Sequence, residues 1–142
     1  MRKLAVLGLV AVVAGVCGCA KKADLSTPAG AMAAFDTAMK GGKFSEAAAC
    51  FAFDTQGARD STDWATYSQS DRNLIIGKLR EGKATALSAV ASTYTAKGYT
   101  VGTASESGNQ ATVELKASGG EALMAQLVHE KDAWRIESLP GF

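Results

Sequence analysis

Few residues in this chain combine a reactive side chain with a spacing that could use it. Asp36, Tyr94 and Tyr99 are the available parts of a general-base site, in which a carboxylate whose pKa is raised by desolvation works beside a tyrosine donor. Asp36 lies off the apolar stripe of its own segment, which is set by Met32, Phe35 and Met39. Tyrosines at helix and sheet positions serve far more often as core residues with a hydrogen-bonded tip. Asp54, Asp60 and Asp63 crowd one stretch and could recruit Ca²⁺, but the spacing lacks the glycine and terminal glutamate of an EF-hand loop, so a solvated loop is the expectation. His129 is the single histidine, whereas a zinc site needs three or four nitrogen or sulfur ligands. The chain carries no P-loop, no G-x-S-x-G elbow and no dinucleotide fingerprint. The residues therefore point to no catalytic group, no metal and no cofactor.

Composition narrows the remaining classes. The chain has 142 residues with a formal charge of +1, enough for one domain and too short for two independent cores. A balance of 15 basic against 14 acidic residues offers no electrostatic case for nucleic acid or for a polyanionic substrate. Of the 142 residues 27 are alanine, so the core is expected to be modest, because each alanine buries little area.

The N-terminus is an address. Arg2 and Lys3 precede an uncharged run from Leu4 to Val16, the pattern of a secretory leader. At 13 residues the run is too short to span a hydrocarbon core, which needs about 20. The following Val16-Cys17-Gly18-Cys19 resembles the bacterial lipobox, with an aliphatic residue at −3, a small one at −1, and Cys19 as the residue that becomes first in the mature chain. Cys17 fits poorly, since Val16 would then occupy the −1 position. The resemblance implies that residues 1–18 are a signal peptide removed on export and that the Cys19 thiol carries diacylglycerol, with a further acyl chain on its amino group. Two or three chains anchor stably, since each buried CH₂ contributes about 0.8 kcal/mol. The lipid bilayer is thus the first expected partner. In a host with two membranes, Ala20 lacks the Asp that retains many such lipoproteins in the inner one, which favours the outer membrane, facing the periplasm.

Cleavage and acylation leave Cys50 as the sole thiol, so no internal disulfide can form. Beside Phe51 in an alanine-rich run, it reads as a small buried hydrophobe.

Residues 19–27 form the lipidated N-terminus and a short tether, and residues 28–142 form one domain. Thr27 is placed to cap a helix with Pro28 at its first position, and Gly41-Gly42 ends it. A second helix is expected over about 43–53 on Phe44, Ala47, Ala48 and Phe51, followed by a loop from Asp54 to Gln69 with a possible short turn at Trp64. From Ser70, read as a cap, Ile76, Leu79, Leu87, Val90 and Tyr94 continue one stripe to Lys97, with Lys83 polar where the spacing wants an apolar residue and Gly82 as a weak point. Gly98 closes the helix. Beyond it the period becomes two: strands are expected over 99–105, 111–118, 122–130 and 133–139, turning at Ser107-Gly108-Asn109, Gly119-Gly120 and Lys131-Asp132. Helices first and strands second give an α+β domain, with N-terminal helices packed on a curved antiparallel four-stranded sheet.

This order of parts resembles the small cystatin-like or NTF2-like bacterial lipoproteins. The carriers are the lipobox, Thr27-Pro28 with Phe35 and Met39, the run Gly41-Gly42-Lys43-Phe44-Ser45-Glu46-Ala47-Ala48, and the hairpin from Leu127 to Ile136 with Trp134. It covers most of residues 26–139. Two departures stand out: the last turn has Lys131-Asp132-Ala133 where glycine is usual, and no strand is evident between the second and the long helix. The resemblance implies a cone in which helices close over a bent sheet and leave a pocket. That fold hosts enzymes, carriers and inert adaptors alike, and it can set Asp36 in a pocket as a base. The expectation is a noncatalytic envelope lipoprotein binding a small apolar ligand or an envelope partner protein. A structural or assembly role without a pocket is the alternative.

Overall fold

The computed structural model describes residues 23–142; the lipobox cysteines, the leader and the first part of the tether lie outside the described residues. Helix α1 spans Pro28–Lys40, α2 Phe44–Ala49, α3 Phe53–Asp60 and α4 Gln69–Lys97, with a single 3-10 turn at Trp64–Thr66. Strands β1 (Thr100–Ser107), β2 (Gln110–Lys116), β3 (Ala122–Glu130) and β4 (Ala133–Ser138) follow. They form one antiparallel open sheet in the order β1-β2-β3-β4, so the α+β class and the meander are as the alternating pattern requires.

The ends of α1 follow from local chemistry. Thr27 accepts a hydrogen bond from the Gly30 N–H and Pro28 occupies the first turn, where its missing donor costs nothing. At the far end Gly42 adopts φ +68°, a left-handed conformation that glycine takes without steric penalty. The turn brings α2 back against α1 as the expected helical hairpin.

The second helix is shorter than its stripe suggests. It ends at Ala49, and the chain from Cys50 to Ala52 leaves the helix and bridges to β4 at Phe51: the Ile136 N–H donates to the Cys50 carbonyl at 2.8 Å, and the Ala52 N–H donates to the Ile136 carbonyl at 2.9 Å. Continuing α2 would leave those edge groups of β4 without partners, and an unpaired buried backbone group costs as much as a lost hydrogen bond. The chain then starts a new helix, α3, where a loop was expected. Trp64 lies over α3 so closely that a Cβ at Gly57 would come within 2.6 Å of the indole.

Helix α4 has 29 residues, about 43 Å at 1.5 Å per residue. Ser68 caps it rather than Ser70, accepting from the Asp71 N–H at 3.1 Å, and Gly98 closes it at φ +59°. It runs unbroken through Gly82. Lys83 fits the stripe after all: its ammonium sits 4.4 Å from the centre of the Phe51 ring, a cation–π contact.

The core lies between the helices and one face of the sheet. Cross-strand pairs Val113↔Ala125, Leu115↔Leu123 and Leu127↔Ile136 meet Met32, Phe35, Met39, Leu87 and Tyr94. All of the residues named in that layer except Leu123 are 2 % exposed or less. The tether is partly built into the fold, because the Trp134 N–H donates to the Leu25 carbonyl at 2.8 Å. With Leu25, Cys50 and Ala52 in place, the outer edge of β4 is sealed by backbone, whereas among the described residues no such bonds cover the outer edge of β1 from Val101 to Ser107. Among the described residues no helix is long and apolar enough to cross a membrane.

Candidate functional site

The structure gathers Asp36, Tyr94 and Tyr99, the three residues that could have formed a general-base site. One Asp36 oxygen accepts from the Tyr94 hydroxyl at 2.8 Å and the other from the Lys40 ammonium at 2.7 Å. Lys40 also donates to the Tyr99 carbonyl at 2.7 Å, tying the end of α1 to the start of β1. Around Tyr94 the rings of Tyr99, Phe142 and Phe35 lie at 5.0, 5.3 and 5.7 Å. Burial and the neighbouring Asp36 carboxylate push the Tyr94 hydroxyl well above the usual tyrosine range. This is a closed set: each carboxylate oxygen already holds a donor, and the tyrosine is wholly inaccessible. Its chemistry is that of a clamp between α1, α4 and β1. Helical spacing alone missed the contact because Asp36 leaves the apolar stripe sideways, toward α4.

A recess lies elsewhere, at the end of the sheet where β3 turns into β4. A cleft of about 330 Å³ opens between that hairpin and helices α3 and α4, with Phe51, Phe53 and Ile76 among its lining. Its walls are charged. Asp54 pairs with Lys131 and accepts from the Trp64 indole N–H at 3.3 Å. Glu130 accepts from both the backbone N–H and the hydroxyl of Thr55 at 2.8 Å and lies 3.7 Å from the Arg135 guanidinium, which also donates to the Ala49 carbonyl. Arg80 of α4 and Asp132 of the hairpin line the same cleft, and neither has an ion-pair partner among the described residues. Lys131 supplies the left-handed turn itself, at φ +57°, in place of the usual glycine.

None of these cleft residues except Asp54 was singled out from sequence as a candidate. The available signal was the turn Lys131-Asp132, read from sequence only as the link between the last two strands with charged residues where glycine is usual. Asp54, Asp60 and Asp63 do not converge: Asp54 faces the cleft, Asp60 ends α3 beside Arg59 at 3.3 Å, and Asp63 precedes the 3-10 turn. Among the described residues no group of three His, Cys, Asp or Glu side chains is placed to hold a metal ion. His129 is exposed on β3 with its ring edge-on to Trp134 at 5.2 Å. Cys50 is 4 % exposed and its thiol donates to the Glu46 carbonyl at 3.6 Å. Burial pushes that thiol up to about 11, far from the low values that make a cysteine reactive. Cys19 lies outside the described residues.

Compared with protein-family models, with curated proteins and with solved structures, the chain finds no match.

Proposed function

We propose that the protein is an exported lipoprotein, held at a bacterial membrane through acylated Cys19, whose α+β domain is of the NTF2-like or cystatin-like kind and acts by binding rather than by catalysis. In a two-membrane host it sits on the outer membrane and faces the periplasm. The observation that favours binding is the contrast between its two polar clusters. The carboxylate and tyrosine best suited to catalysis hold each other inside a packed layer, while the open cleft presents charged groups over an aromatic floor. A polar or mixed-charge occupant fits that cleft better than the small apolar ligand that the sequence led us to expect, and a partner protein remains within the reading. The Val16-Cys17-Gly18-Cys19 motif supports the anchor, and helix α1 lying over an antiparallel sheet, with the long helix packed on the other helices, supports the fold family.

Two experiments test this reading. Cys19→Ser in the full chain is expected to abolish processing and to move the protein out of the membrane fraction; a variant that still sediments with membranes would disprove the anchor. Cross-linking in intact cells from Lys131, at the mouth of the cleft, is expected to trap a defined species that Asp132→Lys abolishes.

A further inference from the structure

The open charges of the cleft have a particular arrangement. Four of its six charged groups are paired within the protein, Asp54 with Lys131 and Glu130 with Arg135. The two that are not, Arg80 and Asp132, are opposite in sign and come from different walls, one from α4 and one from the hairpin turn. A ligand that answers both carries an anionic and a cationic group. Neither a purely anionic nor a purely cationic ligand does so, because each would leave one of the two charges facing its own sign.

A second, independent observation says where such a ligand is met. Leu25 is hydrogen-bonded to Trp134, whose neighbours Ala133 and Arg135 line the cleft. From Cys19 to Leu25 the chain can extend no more than about 20 Å, at 3.3–3.6 Å per residue. A lipid on Cys19 therefore keeps the cleft close to the headgroup layer. Among the described residues three large hydrophobics are exposed, and two of them, Tyr67 and Leu74 at 36 % and 63 %, lie just before and within the first turns of α4, whose Asn73 lines the cleft.

We propose that the cleft binds the zwitterionic headgroup of a phospholipid of the phosphoethanolamine class, its phosphate toward Arg80 and its ammonium toward Asp132. This rests on the binding role proposed above and names the ligand for that site. The phosphate accepts from the guanidinium in the fork geometry that favours arginine over lysine. The ammonium replaces water on the Asp132 carboxylate. The six charged groups of the cleft, three acidic and three basic, balance, which suits a zwitterionic headgroup and gives no special attraction to an anionic one.

The experiment is a titration of the full chain, solubilised in a neutral detergent, with glycerophosphoethanolamine, read by saturation-transfer NMR. Saturable transfer is expected, with little or none to glycerophosphoglycerol, which has the phosphate without the ammonium. Arg80→Glu and Asp132→Lys should each weaken binding roughly fivefold or more, the factor for losing one exposed charge pair, and both residues are exposed, so the fold tolerates the changes. Vesicles of phosphatidylethanolamine then distinguish lipid from the free headgroup: a fluorophore on Leu74→Cys, in a Cys50→Ala chain, should be quenched by headgroup nitroxides while one on Met124→Cys is not. Equal transfer to both glycerophosphodiesters, no saturable transfer at all, or no response to either charge reversal overturns the proposal. So does a free headgroup that binds while position 74 stays as wet as position 124 in vesicles, which would make the ligand a soluble zwitterion. Because the titration reads the cleft whether or not Cys19 is acylated, failure of the anchor and failure of the site give different results.

Discussion

The clamp at Asp36 and the cleft at Asp132 are built from the same kinds of residue and behave in opposite ways. In the clamp, Asp36 is 14 % exposed and each of its oxygens holds a donor, Lys40 of its own helix and Tyr94 of α4. In the cleft, Asp132 is exposed on a turn and faces open space with Arg80. A buried carboxylate must find its donors inside the protein, because leaving it without them costs several kcal/mol; an exposed one can wait for a ligand, since water serves it meanwhile. Which carboxylate is available for function is thus decided by solvation, and sequence neighbours say little about it.

That difference can be broken at several points. Phe35→Ala, which removes a ring that is fully buried against Tyr94 and Phe51, is expected to lower stability by about 3–5 kcal/mol; urea denaturation giving less than about 1 kcal/mol would mean that the packed layer collapses easily and the clamp is not rigid. Alkaline pH should act next. The folded thiol of Cys50 holds its proton up to about 11 against an ordinary 9.0, so stability is intact below 9.0 and falls as pH rises through this window, where the unfolded chain loses its proton first. Tyr94 adds to the same trend at higher pH, since its hydroxyl is shifted in the same direction. Thermal melts across pH 8 to 11 read the slope, and Cys50→Ala should flatten it. Asp36→Ala is expected to cost about 2 kcal/mol by leaving the buried Tyr94 hydroxyl without its acceptor. The smallest effect belongs to the cleft: Asp132→Asn should change stability by less than about 0.5 kcal/mol, and a larger loss would show that its charge holds the hairpin rather than awaiting a ligand.

Legibility in the sequence followed the range of the interactions. The cap at Thr27-Pro28, the left-handed Gly98 and the span of β3 could be read directly, because each is set by residues within a few positions. The early end of α2 and the existence of α3 could not. They are fixed by Ile136, more than 80 positions from Cys50 and Ala52, whose free edge groups outweigh the helical pattern of Phe44 to Phe53. Lys83 looked like a fault in the α4 stripe for the same reason, as only the fold brings Phe51 beneath its ammonium. Of the cleft, the turn and Asp54 were visible as charges, but the concavity between α3, α4 and the hairpin exists only once the long-range contacts form.

The backbone bond between Leu25 and Trp134 makes the segment ahead of α1 a mechanical part of the domain. Tension on the chain ahead of Ala23 arrives first at the edge of β4, where it meets a hydrogen bond that joins the tether to the sheet, and only afterwards at the first turn of α1. A pull on that segment is therefore delivered to the hairpin that walls the cleft, so tension ahead of Ala23 and the shape of the cleft act on one and the same strand.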